Sequence, residues 1–416
     1  MKKLIYTSFS PNTRLGDLVL NLKLLFLPSM WLNGSCSERV AKIFEERFHD
    51  HKAWTFNYAR SGMYVLFKSL NLKNTDEILV QGYTCVAAVN PVIWSGGKIV
   101  YVDIDAKSGN MDIDDLRRKI SDKTKVILFQ YTYGCSHGID DVKKICQEKG
   151  ITLIEDCTNT IFGKHSDRLI GSFGDASIFS FGRDKAVSGV DGGLILINKR
   201  SKNVSLDNFV QIYQEVKNPP RKWVFLELLY PLIWALIKKF YSLKIGKLIH
   251  FVSTKLGLLT RATSPNEKKG IRDSNIPFLL PNALACLSLR QLKDIDSINA
   301  HRKQITEIYE KELLNIRDVE KFSYLPGNIL LRYSLKVEDR DGLVKYLGAN
   351  NVQIGDWYTT PINPKEVDMG AVGYVGGLCP ESEKVCNMVV NLPNHINITE
   401  DSARKVASLI RKYYGN

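Results

Sequence analysis

The chain has 416 residues, a length that allows two or three folding units and excludes a peptide or mini-protein. Hydrophobic residues make up 44% and charged residues 24% of the sequence, which excludes a disordered, collagen-like or multi-span membrane chain. The net charge is +13, and its location along the chain decides whether nucleic acid or another anionic partner is indicated.

Residues 1–49 are predicted to form an N-terminal arm of short helices. The arm contains an apolar patch, LVLNLKLLFLPSMW at residues 18–31, but the chain start MKKLIYTSFSPN lacks the long apolar run of a signal peptide. The eight cysteines of the whole chain are scattered, and no C-x-x-C pair occurs. We therefore expect free thiols that pack in the interior of a cytoplasmic protein.

Residues 50–215 alternate short apolar runs with polar segments of helical periodicity. The apolar runs, which are rich in β-branched residues, lie at residues 77–80, 98–103, 125–130, 151–156, 176–181 and 193–198. Runs that are apolar at nearly every position indicate strands buried on both faces. The segments at residues 111–120 and 139–150 have helical spacing, and the second stops at a glycine. We predict an α/β domain with a mostly parallel sheet, whose ligands bind at the carboxyl ends of the strands.

Residues 216–275 are predicted to be a hydrophobic, basic helical insert. From residue 217 to residue 272, twelve basic residues stand against two acidic ones, so this segment carries +10 of the net charge. Because the basic residues are interleaved with dense aliphatic ones, the segment suits a lipid surface better than a phosphate backbone. We therefore expect no nucleic acid partner.

Two helices are predicted within the insert. Residues 223–237 would span about 22 Å, which is short of the roughly 30 Å core of a bilayer. Residues 240–259 have the spacing of an amphipathic helix. We expect peripheral contact with the inner face of the membrane rather than a transmembrane span. The alternative is that the insert covers the dimer interface or shields the active site.

Residues 276–416 are predicted to form a smaller C-terminal α+β domain. A long helical pattern at residues 281–313 is followed by a β-like stretch, NILLRYSLKV at residues 328–337, and then by a closing helix from about residue 400 to residue 414. No internal repeat and no low-complexity tract is visible. The chain therefore divides into an arm, a large domain, an insert and a small domain.

Two polar residues at predicted strand ends point to chemistry. Asp156 ends the strand at residues 151–156, and Lys185 lies in the loop after the strand at residues 176–181. A pyridoxal phosphate enzyme requires a lysine that forms a Schiff base and a carboxylate that keeps the pyridine nitrogen protonated. Taken alone, the pair is weak evidence, since a lysine and an aspartate at strand ends are common.

A phosphate site is predicted beside this pair. The segment ARSGM at residues 59–63 precedes a helical pattern, so its free backbone N–H groups can hold a phosphate at a helix N-terminus. Ser180, five residues before Lys185, can add a hydroxyl group to the same phosphate.

The order of these motifs resembles that of the DegT/DnrJ/StrS-type sugar aminotransferases, a fold type I pyridoxal phosphate family. The resemblance covers roughly residues 50–200 and 280–416, and its segments include ARSGMYVL, VQGYTCVAAVNPV, ITLIEDCTNTIFGKHSDRLIGSFGDASIFSFGRDKAVSGVDGG and CPESEKVCNMVVNLPNHINITEDSARKVASLI. It implies a seven-stranded sheet, a homodimer, and amino transfer from glutamate or glutamine to a nucleotide-linked keto sugar. Such a reaction belongs to cell-surface polysaccharide or amino-sugar biosynthesis.

The resemblance also implies a role for each site residue. Lys185 would be the Schiff-base lysine, and Asp156 would be the partner of the pyridine nitrogen. The other cofactor-binding positions are Asn159 near the ring hydroxyl, Cys85 against the ring, and Ser61, Gly62, Met63 and Ser180 at the phosphate.

Three positions depart from the family pattern. Met63 replaces a threonine and loses its hydroxyl group, and Cys85 stands where relatives stack an aromatic ring on the cofactor. Pro277 replaces an asparagine that reaches across the dimer to the phosphate, a role that Asn275 or Asn282 could take over. Relatives that became dehydratases have histidine at the Schiff-base position, so aminotransfer is the expected reaction here.

Two other functions stay open. One is a different pyridoxal phosphate reaction on the same scaffold, and the other is a non-catalytic, membrane-associated family member such as a regulator or scaffold. The intact pair of Lys185 and Asp156 argues against the second, because a binding protein needs neither. No zinc, Walker or Ser-His-Asp spacing is visible, so we expect no metal.

Overall fold

The computed structural model describes residues 4–8, 12–241 and 245–415. The α-helices are α1 (Leu15–Leu25), α2 (Cys36–Arg47), α3 (Ala59–Ser69), α4 (Val86–Trp94), α5 (Ile113–Lys119), α6 (Ile139–Lys149), α7 (Leu206–Gln214), α8 (Arg221–Lys239), α9 (Ile245–Lys255), α10 (Asn282–Lys293), α11 (Ile295–Glu312), α12 (Arg340–Ala349), α13 (Pro380–Met388) and α14 (Glu400–Tyr413). The strands are β1 (Ile5–Tyr6), β2 (His51–Phe56), β3 (Glu77–Gln81), β4 (Thr84–Cys85), β5 (Lys98–Val102), β6 (Thr124–Gln130), β7 (Thr152–Asp156), β8 (Lys164–His165), β9 (Arg168–Leu169), β10 (Ala176–Ser180), β11 (Gly193–Asn198), β12 (Val319–Lys321), β13 (Tyr333–Val337), β14 (Val352–Gln353), β15 (Ile362–Asn363) and β16 (Val389–Leu392).

Seven strands form the main sheet, in the order β2-β11-β10-β7-β6-β3-β5. The pairs from β10 to β5 are parallel, and β11 runs antiparallel to both of its neighbours. The prediction of an α/β fold with a mostly parallel seven-stranded sheet is confirmed. Sequence analysis does not predict the edge strand β2, because its sequence HKAWTF mixes polar and apolar residues instead of forming a continuous apolar run.

Both faces of this sheet are buried. In β3, Leu79 packs into the core on one face, whereas Ile78 and Val80 pack into the core on the other. Phe44 of α2 belongs to the first core and Phe67 of α3 to the second. This double burial explains why the strands are apolar at nearly every position.

The helices that connect the parallel strands begin and end at identifiable signals. Asp112 precedes α5, and its side chain accepts a hydrogen bond from the backbone N–H of Asp115. Helix α6 ends at Gly150, whose φ of 66° is the left-handed conformation that favours glycine. Because these crossovers keep β10, β7, β6 and β3 parallel, the carboxyl ends of the four strands meet at one edge of the sheet.

The C-terminal part of the chain builds a three-stranded sheet, β12-β13-β16. Side chains of α11, α12 and α14 share one core with this sheet. The predicted long helix at residues 281–313 is two helices, because the backbone leaves helical geometry at Asp294 between α10 and α11. Within the predicted β-like stretch at residues 328–337, only Tyr333–Val337 forms a strand.

The insert region contains helices α8 and α9, which pack against each other, and α8 also packs against α1. Trp223, Val224 and Leu228 of α8 share a core with Leu24 of α1. Of the helices within the described residues, none is both long enough and apolar enough to cross a membrane.

A disulfide bond joins Cys36, at the start of α2, to Cys286 in α10. The expectation of free thiols is therefore wrong for these two residues, and the other six cysteines are free. The two helices lie side by side here, since the backbone N–H of Cys36 also donates to Asn282 at 3.0 Å. A separation of 250 residues gives no spacing pattern from which the bond could be predicted.

Candidate active site

A cavity of about 390 Å³ opens at the carboxyl ends of the parallel strands. Asp156 is the last residue of β7, Ser180 is the last residue of β10, and both line the cavity. The loop after β10 brings Lys185 to the same cavity. The edge of the sheet at which sequence analysis expects a ligand is therefore the edge that holds the cavity.

Lys185 presents its amine at the wall of this cavity. Its Nζ donates a hydrogen bond to Oδ1 of Asn159 at 3.2 Å and lies 4.9 Å from the ring centroid of Trp357. Burial lowers the pKa of the Lys185 amine, although the nearby carboxylates of Asp184 and Asp156 oppose this shift. A lower pKa leaves more of the amine neutral, which is the nucleophilic form.

The carboxyl group of Asp156 is buried, with the residue only 3% exposed. Its Oδ1 accepts a hydrogen bond from the backbone N–H of Thr158 at 3.0 Å. Burial raises the pKa of Asp156, whereas Thr158 and the charge of Lys185 lower it. A ligand that brings an N–H group with positive charge would favour the ionised form of this carboxylate, so this position suits the protonated nitrogen of a ring.

The start of α3 forms the part of the site in which a phosphate is expected. Met63 lines the cavity, but Ser61 and Gly62 face the protein interior. The Ser61 hydroxyl donates to Oδ1 of Asn57 at 2.8 Å, and a Cβ added to Gly62 would lie 2.6 Å from the side chain of Ile195. The Ser61 hydroxyl is therefore engaged with Asn57 on the face of the helix that packs against the sheet, and its contact with a phosphate stays a prediction.

Three more of the predicted cofactor residues lie around the amine. Ser180 lines the cavity, and its Oγ accepts the backbone N–H of Gly182 at 3.2 Å. Cys85 also lines the cavity, and burial raises the pKa of its thiol. Asn159 is buried behind Lys185 and orients the amine through their hydrogen bond. Contact of Asn159 with a ring hydroxyl stays a prediction.

Sequence analysis assigns no role to Trp357 and Tyr358, yet both line the cavity. Their rings stack with centroids 5.7 Å apart. The Arg332 guanidinium lies 3.4 Å from the ring centroid of Trp357 and pairs with Asp184 at 2.7 Å. Arg332 and Asp184 are 148 residues apart in sequence, so only the folded chain reveals this contact.

The insert region reaches the same cavity. Ala262, Thr263 and Lys268 line it. The Nζ of Lys268 lies 3.2 Å from a carboxylate oxygen of Glu366, a largely exposed residue. The placement of these residues supports the alternative in which the insert shields the active site.

Pro277 stands where the family has an asparagine that binds the phosphate. The two asparagines that could take over this role, Asn275 and Asn282, differ in their surroundings. Asn282 is buried, its Oδ1 accepts the backbone N–H of Cys36 at 3.0 Å, and its Nδ2 donates to the carbonyl of Met30 at 2.8 Å. Both ends of its side chain are therefore engaged within the chain, and a contact of Asn282 with a phosphate across a dimer stays a prediction. Asn275 lines a smaller cavity of about 160 Å³ and stays a prediction.

A Ser-His-Asp chain that sequence analysis does not detect occurs away from the cavity. The Ser136 hydroxyl lies 2.9 Å from Nδ1 of His165, whose Nε2 lies 2.7 Å from Oδ2 of Asp140. Ser136 is fully buried, and Asn328 donates to its hydroxyl at 2.8 Å. A serine that no substrate can reach cannot act as a nucleophile, so we interpret this chain as structural.

The groups that line the main cavity fit pyridoxal phosphate. The cavity offers an amine, that of Lys185, which could bind the cofactor's aldehyde group, and a carboxyl group, that of Asp156, which could pair with its ring nitrogen. The start of α3 and the hydroxyl of Ser180 provide hydrogen-bond donors for an anion.

A comparison with protein families gives a match that covers most of the chain. The sequence profile of the DegT/DnrJ/EryC1/StrS aminotransferase family matches residues 23–209 and 266–411. The first matched segment contains both Lys185 and Asp156. The unmatched residues 210–265 contain helices α8 and α9.

Individual proteins resemble the chain over nearly its whole length. GDP-perosamine synthase of Vibrio cholerae is 24% identical over 402 residues, which cover 93% of this chain and 94% of that protein. The structure of Helicobacter pylori PseC, an aminotransferase involved in the biosynthesis of pseudoaminic acid, gives a TM-score of 0.75 at 17% identity and covers 100% of both chains. DesI, solved in the presence of its TDP-sugar product, gives a TM-score of 0.72 at 20% identity and covers 99% of this chain and 93% of that chain. The two structures establish the fold.

Proposed function

The chain belongs to the DegT/DnrJ/EryC1/StrS aminotransferase family, and we propose from this premise that it moves an amino group from glutamate or glutamine to a nucleotide-linked keto sugar. As a member of this family, it is a pyridoxal phosphate-dependent aminotransferase. One observation carries the proposal: the Lys185 amine and the Asp156 carboxyl group line one cavity together with a helix N-terminus. A regulator or scaffold has no need of this arrangement.

A nucleotide-linked acceptor is supported by the relatives and by the charge of the cavity wall. One relative is named for a GDP-linked sugar, and a protein of the same fold was solved with a TDP-sugar product. Lys268 lines the cavity, and its partner Glu366 is exposed, so their ion pair is weak. Lys268 is therefore available to pair with an anionic acceptor such as a nucleoside diphosphate sugar.

The residues of the cavity have distinct parts in the reaction. Pyridoxal phosphate, when bound, supplies an electron sink that stabilises negative charge on the carbon next to the transferred amino group. The Nζ of Lys185 would be the attachment point of the cofactor, and as a free amine it would accept a proton from the donor α-carbon. Its lowered pKa favours the neutral form of the Nζ, which can accept that proton.

Two neighbouring side chains, Asp156 and Asn159, assist Lys185 in the proposed reaction. The carboxylate of Asp156 would face the ring nitrogen of the cofactor and would favour its protonated form, which is the electron-poor form of the ring. Asn159 accepts a hydrogen bond from the Lys185 Nζ at 3.2 Å and thereby limits the directions in which the amine can move.

The test of the proposed function uses the purified protein with pyridoxal phosphate, ¹⁵N-labelled glutamate or glutamine, and a GDP-linked or TDP-linked keto sugar. We expect ¹⁵N to appear in a nucleotide-linked amino sugar, detected by mass spectrometry, and no such product with the Lys185→Ala variant. Labelled nitrogen in a different class of product, or in none, would contradict the proposal.

We also propose that the enzyme is a homodimer, as the family resemblance implies. The subunit mass is 47.1 kDa, so light scattering coupled to size-exclusion chromatography should give about twice this value. A single-subunit mass at micromolar concentration would exclude a stable dimer.

A further proposal concerns the outer surface of α1, α8 and α9, which we propose contacts a membrane peripherally. These helices carry exposed apolar side chains at helical spacing, namely Leu15, Val19 and Leu22 on α1, Phe225 and Leu236 on α8, and Ile245, Leu248 and Val252 on α9. Leu15 is 78% exposed and Leu248 is 61% exposed. An apolar surface of this kind calls for a partner.

The charge of this surface favours anionic lipid as the partner. Exposed lysines on the three helices are Lys23, Lys222, Lys239, Lys247 and Lys255. The helices contain two carboxylates, Asp17 and Glu227, and both are buried in ion pairs. The exposed charge is therefore positive, which attracts anionic headgroups and disfavours a second copy of the same face.

Vesicle flotation tests the membrane proposal. Wild-type protein should float with vesicles that contain phosphatidylserine, stay behind with pure phosphatidylcholine, and lose binding as salt increases. Leu248→Glu should abolish flotation, whereas Leu314→Glu, at an apolar residue 55% exposed outside these helices, should not. Wild-type protein that floats with neither vesicle would contradict the proposal. Conversion of a dimer to a monomer by Leu248→Glu would assign the face to a second copy instead.

A further inference from the structure

Two buried carboxylates of the insert region pair with arginines of the active site. Glu227 of α8 is fully buried, and its Oε2 lies 3.1 Å from Nη2 of Arg183. Glu267 is 2% exposed, and its Oε1 lies 2.5 Å from Nε of Arg60. Both arginines line the main cavity. The two pairs therefore connect the insert to two different walls of the cofactor site.

Arg183 is held by several groups from the insert. It donates from Nη1 to the carbonyl of Thr260 at 2.7 Å and from Nη2 to the hydroxyl of the same residue at 2.5 Å. Its guanidinium carbon lies 3.8 Å from the ring centroid of Tyr230. Glu227, Tyr230 and Thr260 all lie in the segment outside the family profile, whereas Arg183 and its second carboxylate partner, Asp191, lie inside it.

Arg183 belongs to the turn that carries the reactive lysine. The backbone N–H of Lys185 donates to the carbonyl of Gly182 at 3.1 Å, which closes the turn around Arg183. The next residue, Asp184, pairs with Arg332 at 2.7 Å. The small domain thus anchors the turn at Asp184, and the insert anchors it at Arg183.

Arg60 plays the corresponding part at the phosphate wall. It is the second residue of α3, and its guanidinium carbon lies 3.8 Å from the ring centroid of Tyr58. Its partner Glu267 is itself held firmly, because its side chain accepts the backbone N–H of Ser264 at 2.9 Å and its carbonyl accepts Nδ2 of Asn90 at 2.8 Å. Glu267 therefore fixes the start of α3.

Folding stability does not explain a charged pair at these positions. The desolvation cost of a buried carboxylate largely offsets its attraction to an arginine, and apolar residues of similar volume are often as stable. Val224 and Leu228, the neighbours of Glu227 on α8, are fully buried in an apolar core. An apolar residue would suit these surroundings at position 227. The carboxylate therefore indicates that Glu227 serves to position Arg183.

Arg183 has two buried carboxylate partners. Its Nη2 lies 3.1 Å from a carboxylate oxygen of Asp191 and 3.1 Å from one of Glu227. Burial raises the pKa of Asp191, and the charge of Arg183 opposes this shift. Asp191 lies on the chain segment that follows the Lys185 turn, so Glu227 is the carboxylate by which the insert holds the arginine.

We propose that Glu227 and Glu267 are positioning residues of the cofactor site, an inference that rests on the proposed function. By holding Arg183 and Arg60, they fix the Lys185 turn and the start of α3 at the separation that a bound cofactor requires. The insert thereby acts as a clamp across the site. Its release weakens cofactor binding and leaves the scaffold folded.

Glu227→Leu tests the proposal, because leucine fills a similar volume without the charge. Titration of the apoprotein with pyridoxal phosphate, followed by visible absorbance, should show a Kd raised at least about tenfold. Hydrogen exchange of the apoprotein should become faster in peptides covering residues 182–191 and 221–239. The far-UV circular dichroism of the apoprotein should stay close to that of the wild type, whereas its Tm should fall, because Arg183 loses one of its two buried carboxylate partners.

Two further variants keep the test decisive. Asp296→Asn is the control, because it breaks a surface ion pair in which Nη2 of Arg47 lies 2.8 Å from Oδ2 of Asp296. It should change neither the Kd for pyridoxal phosphate nor the hydrogen exchange of the apoprotein. Glu227→Gln should raise the Kd less than Glu227→Leu does, since the amide oxygen of glutamine can still accept a hydrogen bond from Nη2 of Arg183. If Glu227→Leu does not fold, Glu227→Gln decides.

The outcomes separate this inference from the proposed function. A folded Glu227→Leu protein with wild-type Kd and wild-type exchange would overturn the clamp, as would an unchanged Glu227→Gln protein when the leucine variant is unfolded. Wild-type protein that fails to bind pyridoxal phosphate would contradict the proposed function instead. The exchange measurement needs no cofactor and therefore reports on the clamp alone.

Discussion

The sheet scaffold and the insert region bury charged side chains in different ways. In the scaffold, Lys185 donates to the neutral amide of Asn159, and Asp156 accepts a backbone N–H. In the insert region, Glu227 and Glu267 lie 3.1 and 2.5 Å from arginine nitrogens. Neutral groups thus hold the first two residues, and opposite charges hold the second two.

This difference in partners distinguishes the side chains proposed to take part in the reaction from those proposed to position other residues. Burial lowers the pKa of Lys185 and raises the pKa of Asp156, so each shifts towards its neutral form and can change charge when a ligand arrives. The carboxylates of Glu227 and Glu267 are held in place by their arginine partners. We therefore expect substitutions in the scaffold to abolish the chemistry, and substitutions in the insert to weaken binding.

Lys185→Ala should have the largest effect. It removes both the covalent attachment point and the proton carrier, so turnover should fall by about 10³-fold or more, since a positioned acid–base group alone contributes about 10²–10⁴. Borohydride reduction of the cofactor-loaded protein, followed by peptide mass spectrometry, should label residue 185 in the wild type only.

Lys268→Ala is the matched control for this prediction, because Lys268 is another lysine of the cavity wall. The borohydride label should stay on Lys185 in this variant. A label on Lys268 in the wild type, or normal turnover of Lys185→Ala, would show that the reactive amine has been misassigned.

Asp156→Asn should have the next largest effect. Asparagine has the same shape without the charge, so the cofactor should still bind while kcat falls about 10²-fold, within the usual range for a charged catalytic group. The charge of Asp156 raises the pKa of Lys185, and its removal should lower that pKa further. The capture of pyridoxal phosphate by the apoprotein should therefore persist to lower pH than in the wild type.

Stopped-flow absorbance across a pH series measures this shift. A capture midpoint at higher pH in Asp156→Asn than in the wild type, or an unchanged kcat, would contradict the assignment of Asp156 to the ring nitrogen. Either result would also mean that Asp156 is not one of the side chains that take part in the reaction.

The sheet and the place of the cavity could be predicted from the sequence because their signals are local. Strands buried on both faces must be apolar at nearly every position, and the six apolar runs coincide with strands of the main sheet. The position of the cavity follows from the rule that ligands bind at the carboxyl ends of parallel strands, whereas the roles of Lys185 and Asp156 rest on the family resemblance and stay a prediction. The edge strand β2 lacks the continuous run and was beyond this reasoning.

Contacts between distant segments could not be predicted. In the sequence, Glu227 only interrupts an apolar helix, and its partner Arg183 lies 44 residues away. Trp357 shows no local pattern that would place it beside the reactive amine. The direction of the Ser61 hydroxyl depends on which face of α3 meets the sheet, and this is a property of packing rather than of the motif.

Cys85→Ala should have the smallest effect on cofactor binding and turnover. This variant tests whether every residue of the scaffold that lines the cavity takes part in the reaction. Burial raises the pKa of the Cys85 thiol, although the charges of Lys185 and Arg60 oppose the shift, so at neutral pH it is a thiol and not a thiolate. A sulfur contact with a ring contributes about 0.3–1.5 kcal/mol, so Cys85→Ala should raise the Kd for pyridoxal phosphate by no more than about tenfold and leave kcat unchanged. Absorbance titration and steady-state rates measure the two effects, with Cys135→Ala as a control at a buried cysteine elsewhere. A fall in kcat comparable to that of Lys185→Ala would place the thiol among the reacting groups.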